Sequence, residues 1–252
     1  MCSPNQAPRC GYKQTGRIEA ISHHGVHMTT FAALVLLLCM PGAGAAQATA
    51  LPAQAPDVHQ LLRQAEQVYG SLESLQATFE QSVDVPLLEK SRWGTGTWYQ
   101  KGPGRFLMDF SDPEGDVIVS DGTWVWFYHP STHPRQVIRS DIDATPAGSG
   151  IADLQGRIFA DARDKYDAEY AGEETLDGHR THEVVLVPLG VSPYARVRVW
   201  IDAESFLVRR FEIYERNETL RDIRLRDLRP DVAIPDSLFR FEPPDDVDVF
   251  GG

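Results

Sequence analysis

Residues 91–110 of the chain read SRWGTGTWYQKGPGRFLMDF, which is the pattern of two β-strands joined by a tight Gly-Pro-Gly turn. Aromatic and β-branched residues favour strands, and successive side chains of a strand point to opposite faces of a sheet. Phe106, Met108 and Phe110 therefore share one face of the second strand. Leu107 lies on the other face, so the predicted hairpin is apolar on both sides.

The same strand pattern recurs along most of the chain. Short runs rich in Val, Ile, Phe, Trp and Tyr are separated by turn residues at intervals of roughly ten residues, which is typical of an antiparallel meander. The predicted strands are 76–85, 91–101, 104–110, 115–120, 123–129, 135–139, 165–171, 181–188, 195–202, 206–215 and 218–228. A meander with one solvated face does not need apolar residues on both sides. Either helices cover both sides, or the sheet curls and its concave face encloses something apolar.

Two helices are predicted outside the strands. Asp57 is a typical N-cap residue, and apolar residues recur behind it at helical spacing, which predicts an amphipathic helix over 57–74. A shorter helix is predicted between Pro146 and Asp164, in the long connection between two strands. Residues 51–252 are expected to form a single domain.

The first 50 residues have the pattern of a secretory signal peptide. Residues 31–40, FAALVLLLCM, are too short to span a bilayer, and a tract of small residues with Ala-x-Ala cleavage positions follows them. Residues 1–27 are interpreted as a possible over-long gene start. The alternative for the apolar run is a buried helix of the mature fold. A signal peptide predicts export across the inner membrane to the periplasm.

Composition excludes several classes of function. The chain has 36 acidic and 24 basic residues and a net charge of -12, whereas nucleic-acid binding draws on clustered Lys and Arg, so no nucleic-acid partner is expected. All three cysteines lie within the first 50 residues, which leaves the mature domain without a disulfide or a cysteine nucleophile. The mature sequence contains none of the common metalloprotease, hydrolase or nucleotide-binding motifs. We therefore expect no enzymatic activity, no cofactor and no metal site.

Four segments together resemble the periplasmic outer-membrane lipoprotein carrier (LolA) family. In chain order they are LQATFEQ at 75–81, GTWY at 96–99 running into KGPGRF at 101–106, the hairpin from Ser120 to WFYHP at 126–130, and FRFEPP at 239–244. The match extends over nearly all of the predicted mature chain.

The resemblance implies a mainly β (α+β) fold, an open and incomplete antiparallel β-barrel with helices covering an apolar cavity. It also implies a periplasmic chaperone that binds the acyl chains of lipoproteins and has no enzymatic activity. The expected partners are acylated lipoproteins, an inner-membrane ABC-type lipoprotein-releasing transporter and an outer-membrane lipoprotein receptor. The protein is expected to be a monomer.

The resemblance and the alternation of strand residues give candidate ligand-binding residues for the apolar cavity. These are Trp98, Phe106, Met108 and Ile118, followed by Phe110 and Phe79. Ordinary core packing is the alternative for each. Candidate lid residues on the first helix are Tyr69 and Leu72, for which packing is again the alternative.

Two further positions bear on the interpretation. Gln81 shares a strand face with Phe79, so its amide is expected to be buried and to need partners, either in a corner between helix and strand or in a ligand. Gly102 stands where many carriers of the family have an Arg that ties the lid helices to the barrel. Lys101 or Arg105 are the gating candidates that could substitute for it.

Two relatives of the same fold are the alternatives to a carrier. A periplasmic regulatory sensor that binds lipid or lipoprotein and modulates an envelope-stress pathway is the nearest one. A receptor-type relative would require a lipid on Cys39, which cleavage of the leader after that residue would exclude.

Overall fold

The computed structural model describes residues 55–102, 104–142 and 158–251. The predicted signal peptide at 1–50 lies outside the described residues, as does most of the helix predicted between Pro146 and Asp164. Within the described part of the chain, no helix has the length and apolar character needed to cross a membrane.

The described chain folds mainly into β-strands. The helices are α1, Val58–Ser71, and α2, Ala162–Lys165. The strands are β1, Ser74–Val85; β2, Lys90–Lys101; β3, Arg105–Asp112; β4, Val117–Asp121; β5, Trp124–Tyr128; β6, Gln136–Asp141; β7, Tyr166–Leu176; β8, His179–Pro188; β9, Tyr194–Asp202; β10, Val208–Glu215; β11, Leu220–Pro230; and β12, Asp248–Phe250. The predicted strands correspond to β1 through β11. The described residues also include two short 3-10 helices, Pro86–Leu88 and Asp236–Phe239.

All of these strands belong to one sheet, in the order β12-β6-β5-β4-β3-β2-β1-β11-β10-β9-β8-β7. Neighbouring strands are antiparallel except for β12, which pairs parallel with β6. The pairing of β1 with β11 joins the two halves of the chain in the middle of the sheet. The predicted fold class, a mainly β (α+β) fold built on an open and incomplete antiparallel β-barrel, is confirmed by this single open, curled sheet with few helices.

The concave face of this sheet carries the main core. Asp57 caps the start of helix α1, where its Oδ1 accepts a hydrogen bond from the His59 N–H at 2.9 Å. The helix ends at Ser71, three residues before the predicted end, because Ser74 already pairs with Lys101 of β2. Its buried residues are Leu61, Leu62, Ala65 and Tyr69, which share one cluster with the inward side chains of both halves of the sheet.

The convex face is covered over β3 and β4 by the C-terminal segment. Leu107 and Val119 form a second, smaller core with Ile234 and Phe239. Both explanations offered for the two apolar faces therefore hold in part: the sheet curls around a core that α1 covers, and a strand-free segment covers part of the other side.

Candidate functional site

The six predicted cavity residues lie together on the concave face. All belong to the main core and are at most 4% exposed: Phe79, Trp98, Phe106, Met108, Phe110 and Ile118. The register explains the grouping, because Met108 lies opposite both Trp98 on β2 and Ile118 on β4. The sequence therefore located a contiguous apolar surface; its ligand-binding role stays a prediction.

Aromatic contacts hold this surface together. The ring of Trp98 stacks on Phe106 with centroids 5.8 Å apart, and Phe79 meets Phe110 edge to face at 4.9 Å. Gly94 allows Phe110 to lie against β2, because a Cβ at this position would be 2.6 Å from the Phe110 ring. The concave face of β2 therefore depends on the absence of a side chain at Gly94 as well as on the large side chain of Trp98.

A cavity of about 290 Å³ opens at the end of the concave face near the β1–β2 hairpin. Of the predicted residues, Phe110 and Ile118 line it, and Phe127 of β5 adds to the apolar wall. Trp98, Phe106 and Met108 lie within the packed core. The apolar surface is therefore open to solvent at one end and closed in its middle.

Polar side chains also line the cavity. Gln81 is 7% exposed, and its Oε1 accepts a hydrogen bond from Nη1 of Arg221 on β11 at 3.2 Å. Burial lowers the pKa of the Arg221 guanidinium, and nearby Glu215 opposes this effect. The partner of the Gln81 amide is thus in the cavity wall rather than in a corner between helix and strand.

Asp116 also lines the cavity and organises a cluster of polar groups there. Its carboxylate accepts hydrogen bonds from the N–H and the Oγ of Ser131 at 3.0 and 2.8 Å, and it lies 3.0 Å from Nδ1 of His129. Burial lowers the pKa of His129 in spite of this neighbouring carboxylate. The Ser131 hydroxyl bonds to Asp116 and not to His129, so the three side chains form a turn-stabilising cluster rather than a nucleophile and its base.

The two predicted lid residues face the core, Tyr69 from α1 and Leu72 from the position directly after it. The Tyr69 hydroxyl accepts a hydrogen bond from the Val208 N–H at 3.1 Å, and its ring lies 5.3 Å from Phe159. Burial raises the pKa of Tyr69 to about 12, against the lowering effect of the Val208 hydrogen bond. Leu72 is half-buried against the same core. Both residues fix α1 on the concave face.

The gating candidates beside the second turn contact the C-terminal segment. Nζ of Lys101 donates to the carbonyl of Ile234 at 2.8 Å and to Asp236 at 2.6 Å, and Nη1 of Arg105 is 3.4 Å from Asp236. Gly102 has a positive φ of 58°, a conformation that glycine adopts at low cost and that an Arg adopts less readily. These contacts lie on the convex side, away from the helix-covered core.

Sequence reasoning missed the charged wall of the cavity. Arg92, Asp116, His129 and Arg221 line it and were not among the candidates. A signal for the two arginines was present, because Arg92 alternates in phase with Trp98 and Arg221 with the residues at 223 and 225. A charged residue on an otherwise apolar strand face is unusual, so its position is a candidate for a functional role.

Sequence comparisons identify carrier proteins as relatives. The outer-membrane lipoprotein carrier protein of Methylococcus capsulatus is 30% identical over 183 residues, covering 71% of this chain and 82% of the relative. The protein of the same name from Legionella pneumophila is 24% identical over 184 residues, covering 71% and 84%.

Solved structures with a similar course of the chain include a LolA superfamily protein from Nitrosomonas europaea, with a TM-score of 0.40 and 15% identity over 74% of this chain and 99% of that chain. The complex of MucA and MucB from Pseudomonas aeruginosa gives a TM-score of 0.46 and 13% identity, covering 74% and 62%.

A family model matches residues 70–242, from the end of α1 to the segment behind the second core. The family is described as the outer membrane lipoprotein carrier protein LolA, and the relatives found by sequence carry the same carrier name. This chain belongs to the LolA family of outer membrane lipoprotein carrier proteins.

Proposed function

We propose that the chain is a periplasmic carrier that binds the acyl chains of lipoproteins released from the inner membrane and delivers them to the outer membrane. The observation that carries this proposal is the contiguous apolar surface on the concave face, which ends in a cavity of about 290 Å³. Membership of the carrier family supports the same function.

The energetics of lipid transfer support an apolar interior of this kind. Removing an acyl chain from a bilayer costs about 0.8 kcal/mol for each CH₂ group, so a carrier must offer surroundings of similar polarity. Trp98, Phe106 and Met108 would separate to admit the chain. The buried Nε1 of Trp98 has no hydrogen-bond partner within the described residues, and an acyl-ester carbonyl would give it one.

Helix α1 is suited to act as the cover of this interior. It contacts the core through Tyr69 and, directly after its last residue, through Leu72, and the hydrogen bond from the Val208 N–H to the Tyr69 hydroxyl is easier to break than a strand pairing. In the proposed cycle, an inner-membrane ABC-type transporter supplies the acylated lipoprotein and an outer-membrane receptor takes it over.

Native mass spectrometry of the mature protein purified from its own periplasm tests the proposal, together with release of lipoproteins from spheroplasts. We expect the wild-type protein to carry triacylated lipoprotein and to release it from spheroplasts. Phe110→Glu should abolish both, because it places a carboxylate in the apolar wall of the cavity. Water in the cavity can still solvate this carboxylate, so the variant is expected to fold. Val191→Glu is the matched control, since Val191 is fully exposed outside this cavity.

A wild-type protein that is free of ligand and releases no lipoprotein would contradict the carrier function. Binding of lipid without release of lipoproteins would instead favour the regulatory sensor of the same fold. Equal release by Phe110→Glu and wild type, with circular dichroism confirming that both are folded, would refute the assignment of the cavity.

A further inference from the structure

A row of apolar side chains crosses the concave face from the core to one edge of the sheet. Residues that lie directly opposite each other in paired strands point to the same face. On the successive strands β2, β3, β4, β5, β6 and β12, the residues of this row are Trp98, Met108, Ile118, Phe127, Ile138 and Phe250. Neighbouring strands lie about 4.8 Å apart, so the row is roughly 24 Å long. The apolar surface of the core therefore continues to the last strand of the sheet.

The row becomes accessible towards this edge. Its members on β2, β3 and β4 are at most 2% exposed. Phe127 is half-buried and lines the cavity of about 290 Å³, whereas Ile138 and Phe250 are 49% and 48% exposed. Phe127, Ile138 and Phe250 form the edge strip, which joins the buried part of the row to solvent.

The edge strip is narrow. Alternate residues of a strand share a face, so the side chains next to the row are found two positions away on each strand. On one side, these positions on β4, β5, β6 and β12 hold the polar residues Asp116, His129, Gln136 and Asp248. On the other side, the positions on β4, β5 and β6 hold Ser120, Val125 and Ser140. At Ile138 and Phe250 the apolar surface is therefore one residue wide.

A hydrocarbon chain suits this strip better than a protein surface does. A specific protein interface buries about 1,200 Å² or more, whereas the edge strip offers two half-exposed side chains and part of a third. A hydrocarbon chain needs only a narrow apolar path. The strip also continues the row of Trp98, Met108 and Ile118 without a gap, so one chain can contact the core and the edge together.

We propose that an acyl chain of a bound lipoprotein lies along the edge strip, in contact with Phe127, Ile138 and Phe250. This inference rests on the proposed function and adds these residues to the ligand contacts. Covering the exposed sides of Ile138 and Phe250 with hydrocarbon removes apolar surface from water, which favours the bound state. The short strand β12 has a role in this arrangement, because its pairing with β6 brings Phe250 next to Ile138.

Binding of a synthetic lipopeptide with hexadecanoyl chains to the mature protein tests the strip. Phe250→Glu and Ile138→Glu each place a carboxylate on it and should weaken binding about tenfold. Val249→Glu is the matched control, because Val249 precedes Phe250 on β12, is 44% exposed and points to the convex side. It should bind like the wild type. Equal affinities of Phe250→Glu and Val249→Glu, both folded by circular dichroism, would overturn the proposal.

Photocrosslinking locates the acyl chain independently of these variants. A lipopeptide that carries a diazirine at the end of one hexadecanoyl chain is irradiated in the complex, and the labelled peptides are identified by mass spectrometry. We expect labels on β5, β6 and β12 in addition to the strands of the core. Labels confined to the core strands would overturn the proposal, because the whole chain would then lie inside the core.

Light scattering at increasing protein concentration examines a second copy of the chain as the occupant. We expect a monomer at all concentrations. A dimer that forms in the wild type and is abolished by Phe250→Glu would assign the edge strip to contact between two copies and overturn the proposal.

The same measurements separate this inference from the proposed function. Loss of lipopeptide binding in Phe110→Glu, with wild-type binding by Phe250→Glu and Ile138→Glu, would refute the edge strip and leave the carrier function standing. Binding that depends on the edge strip in a protein that releases no lipoprotein from spheroplasts would refute the carrier function and leave this inference standing. A wild-type protein that binds no lipopeptide would refute both.

Discussion

On the convex face of β3 and β4, Leu107 and Val119 are buried by a segment of the chain, whereas on β9 the ring of Trp200 is buried by arginine side chains. Trp200 is 1% exposed because the guanidinium groups of Arg198 and Arg210 lie 4.9 and 4.4 Å from its ring centroid. On the convex face, Leu107 and Val119 of one half are covered by the C-terminal segment, with Phe239 as its apolar anchor. In the other half, Trp200 is covered by a layer of arginine side chains.

The charged layer is held by carboxylates of neighbouring strands. Arg198 bonds to Glu183 and Glu212 at 2.8 Å each, and Arg210 makes two bonds of 2.9 Å to Asp222. Stacked and paired arginines exclude water from an aromatic ring without any further chain segment. The comparison shows that apolar side chains on the convex face of β3 and β4 are buried by the C-terminal segment. On the convex face of the other half, Trp200 is buried by side chains of its own and neighbouring strands.

The largest expected effect follows from removing the apolar anchor. Phe239→Ala should lower the free energy of unfolding by about 3 kcal/mol, because Phe239 is 2% exposed and its loss leaves a cavity over β3 and β4. Urea unfolding followed by tryptophan fluorescence measures it. Phe241→Ala, at a half-buried ring beside Trp126, should cost clearly less. Equal effects of the two variants would show that the C-terminal segment has no single anchor.

An intermediate effect is expected at the turn that ends β9 in the charged half. Burial alone would raise the pKa of the Asp202 carboxyl, but hydrogen bonds from the Ser205 N–H, the Arg209 side chain and the Glu204 N–H lower it to about 2. A depressed carboxyl pKa stabilises the fold above the unfolded value near 4, and this contribution is lost as the pH falls towards 2.

Asp202→Asn should therefore cost about 2 kcal/mol at pH 7 and much less at pH 2. Unfolding of both proteins in urea between pH 2 and pH 7 measures this difference. A difference between wild type and variant that does not change over this range would contradict the assigned pKa.

The smallest effect is expected in the cation layer itself. Arg210→Met should cost about 1 kcal/mol at low salt, since the methionine still covers part of Trp200 while the paired bonds to Asp222 are lost. Unfolding in 1 M NaCl should reduce the difference, whereas the effect of Phe239→Ala should not decrease. The same salt response in both variants would remove the distinction between the two halves of the convex face.

Much of the candidate site followed from the family resemblance together with the alternation of residues along single strands. Phe106 and Met108 share a face of β3 because of their spacing, the resemblance added Trp98 of β2, and all three lie on the buried concave face. The charged wall of the cavity did not follow, because Arg221 meets Gln81 across 140 residues of sequence. Strand parity assigns each residue to one of the two faces of its strand. Only the pairing of β1 with β11 brings Gln81 and Arg221 next to each other on the same face.

The C-terminal part of the chain illustrates the same limit. The three-residue strand β12 lies beyond a run of acidic residues and pairs with β6, more than a hundred positions earlier. Likewise, nothing in residues 236–239 alone indicates that they cover Leu107 and Val119. Local propensity is weak in so short a segment, so tertiary contacts decide its conformation.

The sequence by itself determined the strands, the first helix, the face on which each apolar side chain lies and the family of the protein. These properties depend on local spacing and on motifs that can be read along the chain. Only the tertiary structure decided which faces became concave, which side chains closed the core, and that Arg92 and Arg221 line the same cavity. The register of strands far apart in sequence depends on the packing of the whole sheet, which no local pattern encodes.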